Sequence, residues 1–221
     1  CGAVAGDLAS TFVLDELRAW GVDVACCAVK PQGQVPTSYI TLAQDTGSRT
    51  IVHYRQLEEL SLEEFQQLVN PSNFQWVHFE GRNCAATAHM MRWVRETAPA
   101  TVISVEAAKL REGLDELLVL ADVVFTSRAY ARVKGFPDSE HAAFMNTLLA
   151  HMSPTALLVC TWGECGAYAA CAWAGGQQQQ HHHRHQSLLH CPAVRVEQVV
   201  DTVGAGDTFM AGFVHAALPG A

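Results

Sequence analysis

Between residues 75 and 162 the chain alternates short apolar stretches, rich in Val, Ile and Leu, with longer stretches of helical periodicity. The predicted strands are residues 75–80, 101–106, 122–127 and 156–162. The predicted helices are residues 84–97, 109–121, 128–134 and 139–152. Strands of this kind that alternate with helices favour a mostly parallel sheet with helices on both faces. The sequence therefore predicts an α/β fold.

Two antiparallel hairpins are predicted outside this alternation. The first pairs residues 35–43 with 49–55 through a turn around residues 45–48, and the second pairs 166–173 with 187–190. The first hairpin has two interpretations, a peripheral part of the main sheet or a lid that closes a substrate cleft and excludes water. Between the strands of the second lies a Gln/His tract at 175–186, which we interpret as a disordered loop expansion rather than a metal site.

Composition excludes several classes of protein. The chain has 221 residues, of which 49% are hydrophobic and 16% charged, enough for one α/β domain with a substantial core. Its net charge of −8 argues against a nucleic-acid or anionic-membrane partner, and no apolar run is long enough to span a bilayer. The eight cysteines include no C-x-x-C pair, which favours reduced, partly buried thiols in a cytoplasmic protein.

A glycine-rich stretch near the end of the chain carries the strongest chemical signal. It follows an apolar segment that looks like the end of a strand at Val199 and Val200, and it opens a helix predicted over residues 205–217. Gly204 and Gly206 permit a tight turn, and the unpaired backbone N–H groups and dipole of a helix start attract anions such as phosphate. Asp207 lies in the first turn, where the same field favours an ionised carboxylate. The alternative is a strand–turn–helix joint without chemistry.

The sequence D-T-V-G-A-G-D-T-F, at residues 201–209, closely resembles the C-terminal signature of the ribokinase-like (PfkB) sugar kinases. E-G-R-N at residues 80–83 and S-V-E at 104–106 are more specific, and they are similar to the ketohexokinase branch of that family. They weigh against a kinase for ribose or adenosine. The resemblance extends over essentially the whole chain and implies a ribokinase-like fold.

The resemblance also implies roles for individual residues. Asp207 would be the general base that takes the proton from the attacking sugar hydroxyl, and Arg82 would lie beside the nucleotide phosphates. The anion hole for the transferring phosphate would be formed by the backbone of Gly204, Ala205 and Gly206. The nucleotide pocket would be lined by Gly163, Glu164, Cys165, Gly166 and Ala167.

The implied reaction is ATP-dependent phosphorylation of fructose to fructose 1-phosphate. ATP and Mg²⁺ are the implied cofactors, with K⁺ as a further candidate and no direct protein ligands to a metal. A homodimer would form through the hairpin at residues 35–55. The division implied is a kinase domain at residues 1–34 and 56–221 with the hairpin as its lid.

The chain also departs from the family pattern. The family's first strand with a sugar-binding Asp, its G-G-N-x-x-N stretch and its C-terminal helices have no counterpart here. Cys165 replaces the usual acid, and Arg128 replaces the usual lysine. We therefore expect the 221 residues alone to have little or no kinase activity. The alternative function is that of a catalytically inactive, truncated protein with a binding, dimerising or regulatory role.

Overall fold

The computed structural model describes residues 1–44, 49–171, 188–197 and 201–218. The helices are α1 Leu8–Ala19, α2 Leu62–Leu68, α3 Cys84–Thr97, α4 Leu114–Leu120, α5 Arg128–Val133, α6 His141–Leu149 and α7 Ala205–Ala217. The strands are β1 Gly2–Ala5, β2 Cys27–Lys30, β3 Thr37–Leu42, β4 Arg49–Tyr54, β5 Trp76–Glu80, β6 Val102–Glu106, β7 Val123–Ser127, β8 Leu157–Thr161, β9 Ala167–Cys171 and β10 Leu189–Cys191.

The chain groups into two compact units, Cys1–Asn70 and Pro71–Ala221. In the first unit, β1 and β2 form a two-stranded parallel sheet, which the sequence did not predict because both strands have only four residues and contain a single valine each. Helix α1 begins after Asp7, whose carboxylate accepts a hydrogen bond from the Ser10 N–H at 2.8 Å. None of the described helices combines the length and the apolar character needed to cross a membrane.

The predicted first hairpin is confirmed. Strands β3 and β4 pair antiparallel, with Tyr39 opposite Val52 and Ile40 opposite Ile51. The predicted turn at residues 45–48 lies outside the described residues. Apolar side chains are exposed on both faces of this two-stranded sheet: Tyr39, Ile40, Leu42, Ile51, Val52 and Tyr54. A two-stranded sheet of this kind gains little stability by itself.

The second unit contains the predicted α/β sheet. Its strand order is β10-β9-β8-β7-β6-β5, with β5 to β8 parallel and β9 and β10 antiparallel at one end. The fold class is thus confirmed, including the second hairpin, whose Gln/His tract lies outside the described residues. Helix α4 is shorter than predicted, because Gly113 holds a left-handed conformation with φ of 80° and helical geometry begins only at Leu114.

One helix of this unit packs on the middle of the sheet. Met210, Phe213 and Val214 of α7 contact a cluster of buried residues that includes Phe125 on β7. The rings of Phe125 and Phe213 meet edge to face at 5.3 Å. Each partly buried apolar side chain of this kind contributes on the order of 1–2 kcal/mol. This packing fixes the direction of the helix that begins with the glycine-rich stretch.

Tyr130 on α5 provides a test of core energetics. The side chain is fully buried, and its hydroxyl has no hydrogen-bond partner among the described residues. An unpaired buried hydroxyl costs about 1–3 kcal/mol, so Tyr130→Phe is expected to raise the free energy of unfolding by ~1 kcal/mol in urea titrations. Tyr39→Phe is the control, because Tyr39 is 68% exposed. A loss of stability in Tyr130→Phe would show that the hydroxyl has a partner, such as a buried water.

Candidate active site

The carboxyl ends of the parallel strands bring several charged groups to one edge of the sheet. Glu80 ends β5 and Glu106 ends β6, and the register places the two residues directly opposite each other. The carboxyl ends of such strands are where open α/β sheets bind ligands. The sheet register therefore creates a pair of neighbouring carboxylates at the expected ligand-binding edge.

Asp207 belongs to the same group of charges. Burial raises the pKa of Glu106 above its ordinary value, and the negative charges of Asp207 and Glu80 raise it further, while Lys109 opposes the shift. Asp207 itself is exposed to solvent. Asp207 on α7 and Glu80 on β5 are thus both close enough to repel the charge of Glu106 on β6.

The start of α7 has the geometry predicted for an anion site. Gly204 adopts the left-handed conformation, with φ of 74°, and its carbonyl accepts the Thr208 N–H at 2.8 Å. The Ala205 N–H donates to the Thr202 carbonyl at 3.4 Å. The N–H groups of Gly206 and Asp207 have no acceptor among the described residues. Two helical N–H donors are therefore available beside the Asp207 carboxylate.

Arg82 lies at the same edge, just after β5. Its guanidinium forms an ion pair with Glu80, with 2.7 Å between Nη2 and Oε1. The next residue, Asn83, has a left-handed backbone with φ of 43° and precedes α3. Arg82 is thus oriented by an acidic neighbour and keeps exposed surface, so that its charge is available to an anion.

A set of hydrogen-bonded residues near Asp207 was not predicted from the sequence. The buried Ser104 hydroxyl lies 2.7 Å from Trp76 Nε1 and 2.8 Å from His78 Nδ1. Desolvation lowers the pKa of His78, while Asp207 and Glu80 raise it in part. Trp76 and His78 alternate along β5, and Ser104 is the first residue of S-V-E on the neighbouring β6, so a search for polar residues on one face of adjacent strands could have found them.

The predicted nucleotide loop follows β8. Residues Gly163–Cys165 form one 3₁₀ turn, and the Glu164 carboxylate makes two hydrogen bonds to Arg128, at 2.7 Å and 2.9 Å. This bidentate pair lowers the pKa of Glu164 to about 2. A Cβ on Gly163 would lie 2.7 Å from Arg128 Nη2, so glycine is needed for the guanidinium to approach.

The site residues therefore fall into two groups along one edge. Asp207, Gly204, Ala205 and Gly206 share electrostatic surroundings with Glu80 and Glu106, and Arg82 pairs with Glu80. The loop Gly163–Ala167 follows β8, three strands from β5, or roughly 14 Å at the usual strand spacing. A nucleoside triphosphate is long enough to span the distance between these two groups of residues.

Glu106 supplies a stability test of this electrostatic arrangement. Because its pKa is raised in the folded state, ionisation costs stability, and that cost appears as pH rises from about 4.5 through the raised value. Glu106→Gln cannot ionise, so its urea midpoint should exceed that of the wild type at about pH 7.5 and match it at about pH 4. The exposed Glu112→Gln is the control. A lower midpoint for Glu106→Gln at about pH 7.5 would contradict the shift.

Comparisons with known proteins identify the family of the chain. The chain matches the pfkB family carbohydrate kinase over residues 1–221. It is 34% identical over 220 residues to ketohexokinase of Mus musculus, which covers 96% of this chain and 69% of that protein.

Solved structures show the same fold. Ribokinase from Giardia lamblia superposes with a TM-score of 0.76 at 17% identity, over 96% of this chain and 64% of that one. Fructokinase from Xylella fastidiosa, solved with bound ATP, gives a TM-score of 0.73 at 20% identity, over 97% of this chain and 66% of that one. The chain thus spans less than two thirds of these solved chains.

The architecture is that of the ribokinase-like α/β fold, with a mostly parallel central sheet. The chain belongs to the pfkB family of carbohydrate kinases, and it is a homologue of ketohexokinase.

Proposed function

We propose that the protein transfers the γ-phosphate of ATP to O1 of fructose and releases fructose 1-phosphate. The observation that carries the proposal is the start of α7, where two N–H donors without described acceptors lie beside an exposed carboxylate. The similarity to ketohexokinase supports the choice of a ketose as acceptor.

Asp207 acts as the general base in this proposal. Phosphoryl transfer passes through a loose transition state, so the enzyme contributes mainly positioning and charge stabilisation. The sugar hydroxyl loses its proton late, and an ordinary ionised carboxylate is sufficient to accept it. The anion hole proposed at Gly204, Ala205 and Gly206 stabilises the charge on the transferring phosphate, with the N–H groups of Gly206 and Asp207 as its available donors.

Arg82 and the loop after β8 hold the nucleotide. The planar guanidinium of Arg82 suits phosphate oxygens, and its existing pair with Glu80 fixes its direction. The backbone of the five residues Gly163, Glu164, Cys165, Gly166 and Ala167 lines the pocket. Because Glu164 is already paired with Arg128, its role is to shape the loop rather than to bind phosphate directly.

Mg²⁺ fits the chemistry of the residues present. Among the described residues no group of three His, Cys, Asp or Glu side chains has the geometry of a metal site. The repulsion between Glu106, Glu80 and Asp207 would nevertheless be relieved by a cation. Mg²⁺ is commonly held by substrate phosphates, water and one or two carboxylates, and here Glu106 and Glu80 would face it. When bound, it neutralises charge on the phosphates. K⁺ is a further proposed cation, for which the described residues offer no specific ligand set.

The test is sugar-dependent release of ADP from ATP by the purified natural full-length protein. We expect turnover with fructose to exceed that with ribose or adenosine. Preference for ribose or adenosine would contradict the ketose assignment. The alternative of an inactive protein predicts MgADP binding without turnover for any sugar. Assay of the 221-residue chain alone decides the separate prediction that it has little activity.

The proposal includes a cytoplasmic location. All eight cysteines are free, and burial raises the pKa of the Cys160 thiol to about 12, which keeps it unreactive. Free thiols of this number suit a reducing compartment.

The proposed dimer uses the β3–β4 hairpin, where exposed apolar residues cover both faces. Val52→Lys and Ile51→Lys, on opposite faces, are expected to convert a dimer into a monomer in sedimentation velocity, because a buried lysine charge opposes association. Val119→Lys on α4 is the control, since Val119 is 57% exposed and Val52 is 63% exposed. A monomeric wild type, or a dimer that survives both substitutions, would contradict the proposal.

A further inference from the structure

We propose that His190 positions the nucleotide loop by holding the carbonyl of Cys165. This inference rests on the proposed ATP site and adds a residue to it. His190 lies on β10, which follows the loop by more than twenty residues in the sequence, and its Nε2 is 2.7 Å from the Cys165 carbonyl oxygen. A carbonyl accepts, so the ring donates its Nε2–H.

The ring of His190 is the outer member of a stack of three aromatic side chains, His141, Tyr168 and His190. The β9–β10 register places His190 opposite Tyr168, and cross-strand neighbours share a face. The two rings are stacked with centroids 4.5 Å apart. His141, at the start of α6, stacks on Tyr168 at 4.2 Å. Tyr168 therefore lies between two imidazole rings, and this stack limits the rotation of His190.

The stack is anchored in the core. Trp162 is buried, its ring contacts both His141 and Tyr168 edge-on, and its Nε1–H donates to the Asp138 carbonyl at 3.1 Å. Trp162 is also the residue that precedes the 3₁₀ turn of the loop. The loop thus begins at a buried residue, Trp162, which contacts Tyr168, and Tyr168 in turn stacks on His190.

Two successive residues of the loop are restrained by different elements. Arg128 on α5 holds the Glu164 carboxylate, and His190 on β10 holds the Cys165 carbonyl. Together these contacts fix the peptide planes that would face a nucleotide. A loop already fixed in its bound shape loses less conformational entropy on binding, which increases affinity. His190 therefore acts on the nucleotide through the loop, as a positioning residue.

The experiment separates the hydrogen bond from the ring. His190→Phe keeps a ring that can stack and removes the donor, whereas His190→Gln keeps an N–H near the position of Nε2. His151→Phe is the matched control, because His151 is exposed and precedes β8, at the opposite edge of the sheet from the loop. The probe is MgADP, titrated by calorimetry into the full chain, and amide hydrogen exchange is followed over residues 162–166.

We expect His190→Phe to weaken MgADP binding by about two- to tenfold, the range that follows from one hydrogen bond. Amide exchange over residues 162–166 should be faster in His190→Phe, and His190→Gln should recover much of both losses. Equal affinity and equal exchange in the wild type and His190→Phe would overturn the inference. Absence of MgADP binding by the wild type would instead overturn the proposed ATP site. Equal melting temperatures of His190→Phe and His151→Phe would exclude general destabilisation as the cause.

Discussion

In the natural full-length protein, replacing Asp207 with asparagine is expected to lower kcat for sugar phosphorylation by about 10²- to 10⁴-fold, the usual contribution of a general base. The amide has nearly the shape of the carboxylate but cannot accept the proton of the sugar hydroxyl. It also removes one negative charge beside Glu106, whose pKa should then fall toward its ordinary value. The measurement is steady-state ADP release in the presence of fructose, together with MgADP affinity.

MgADP affinity should be kept or improved in Asp207→Asn, since one negative charge near the phosphates is lost. Asp115→Asn is the matched control, because Asp115 is an exposed acid in the first turn of α4 and should retain full activity. A kcat for Asp207→Asn within a few-fold of the wild-type value would show that another group accepts the proton. The proposed mechanism would then be wrong in its central step.

Gly166→Ala is expected to give the largest loss of stability among single substitutions in the loop. Gly166 has φ of 95° and ψ of −135°, a conformation that only glycine adopts readily. A Cβ at this position would lie 2.1 Å from the Cys191 carbonyl oxygen and 2.6 Å from the Ala193 nitrogen. Strain and backbone overlap together should lower the free energy of unfolding by ~3 kcal/mol or more. Urea titration measures this loss.

Gly135→Ala separates the two causes. Gly135 has φ of 88°, yet a Cβ there would meet no atom within 4 Å. Gly135→Ala should therefore lower the free energy of unfolding only by the strain of a left-handed backbone at alanine, ~1 kcal/mol. Similar losses of unfolding free energy in both variants would show that the backbone at Cys191 and Ala193 moves aside easily. In that case MgADP binding by Gly166→Ala should survive, whereas the proposed ATP site predicts that it is lost with the loop geometry.

Much of the fold could be predicted because its signals are local. Helix α3 begins and ends at the predicted residues, and the four predicted parallel strands form β5 to β8. In each case one short stretch contains the periodicity that predicts the element. The sheet of β1 and β2 was missed because its stability depends on pairing across the chain rather than on the composition of either strand.

The candidate site was only partly predictable for the same reason. The glycine-rich start of α7 is local, and it forms as predicted, with Gly204 left-handed and Asp207 in the first turn. The repulsion between Glu106 and Glu80 depends on the register of two strands joined by a helix. The contact between His190 and Cys165 depends on which residues pair across β9 and β10, which the sequence does not reveal.

The packing of α7 has a consequence for the behaviour of the protein on heating. None of the residues of α7 is fully buried, and the helix is held on the sheet mainly through Met210, Phe213 and Val214. The sheet beneath is more strongly anchored, with Val105 and Val124 completely buried. Thermal inactivation should accordingly set in several degrees below the loss of the circular-dichroism signal, because the helix that carries Asp207 detaches while the sheet is still folded.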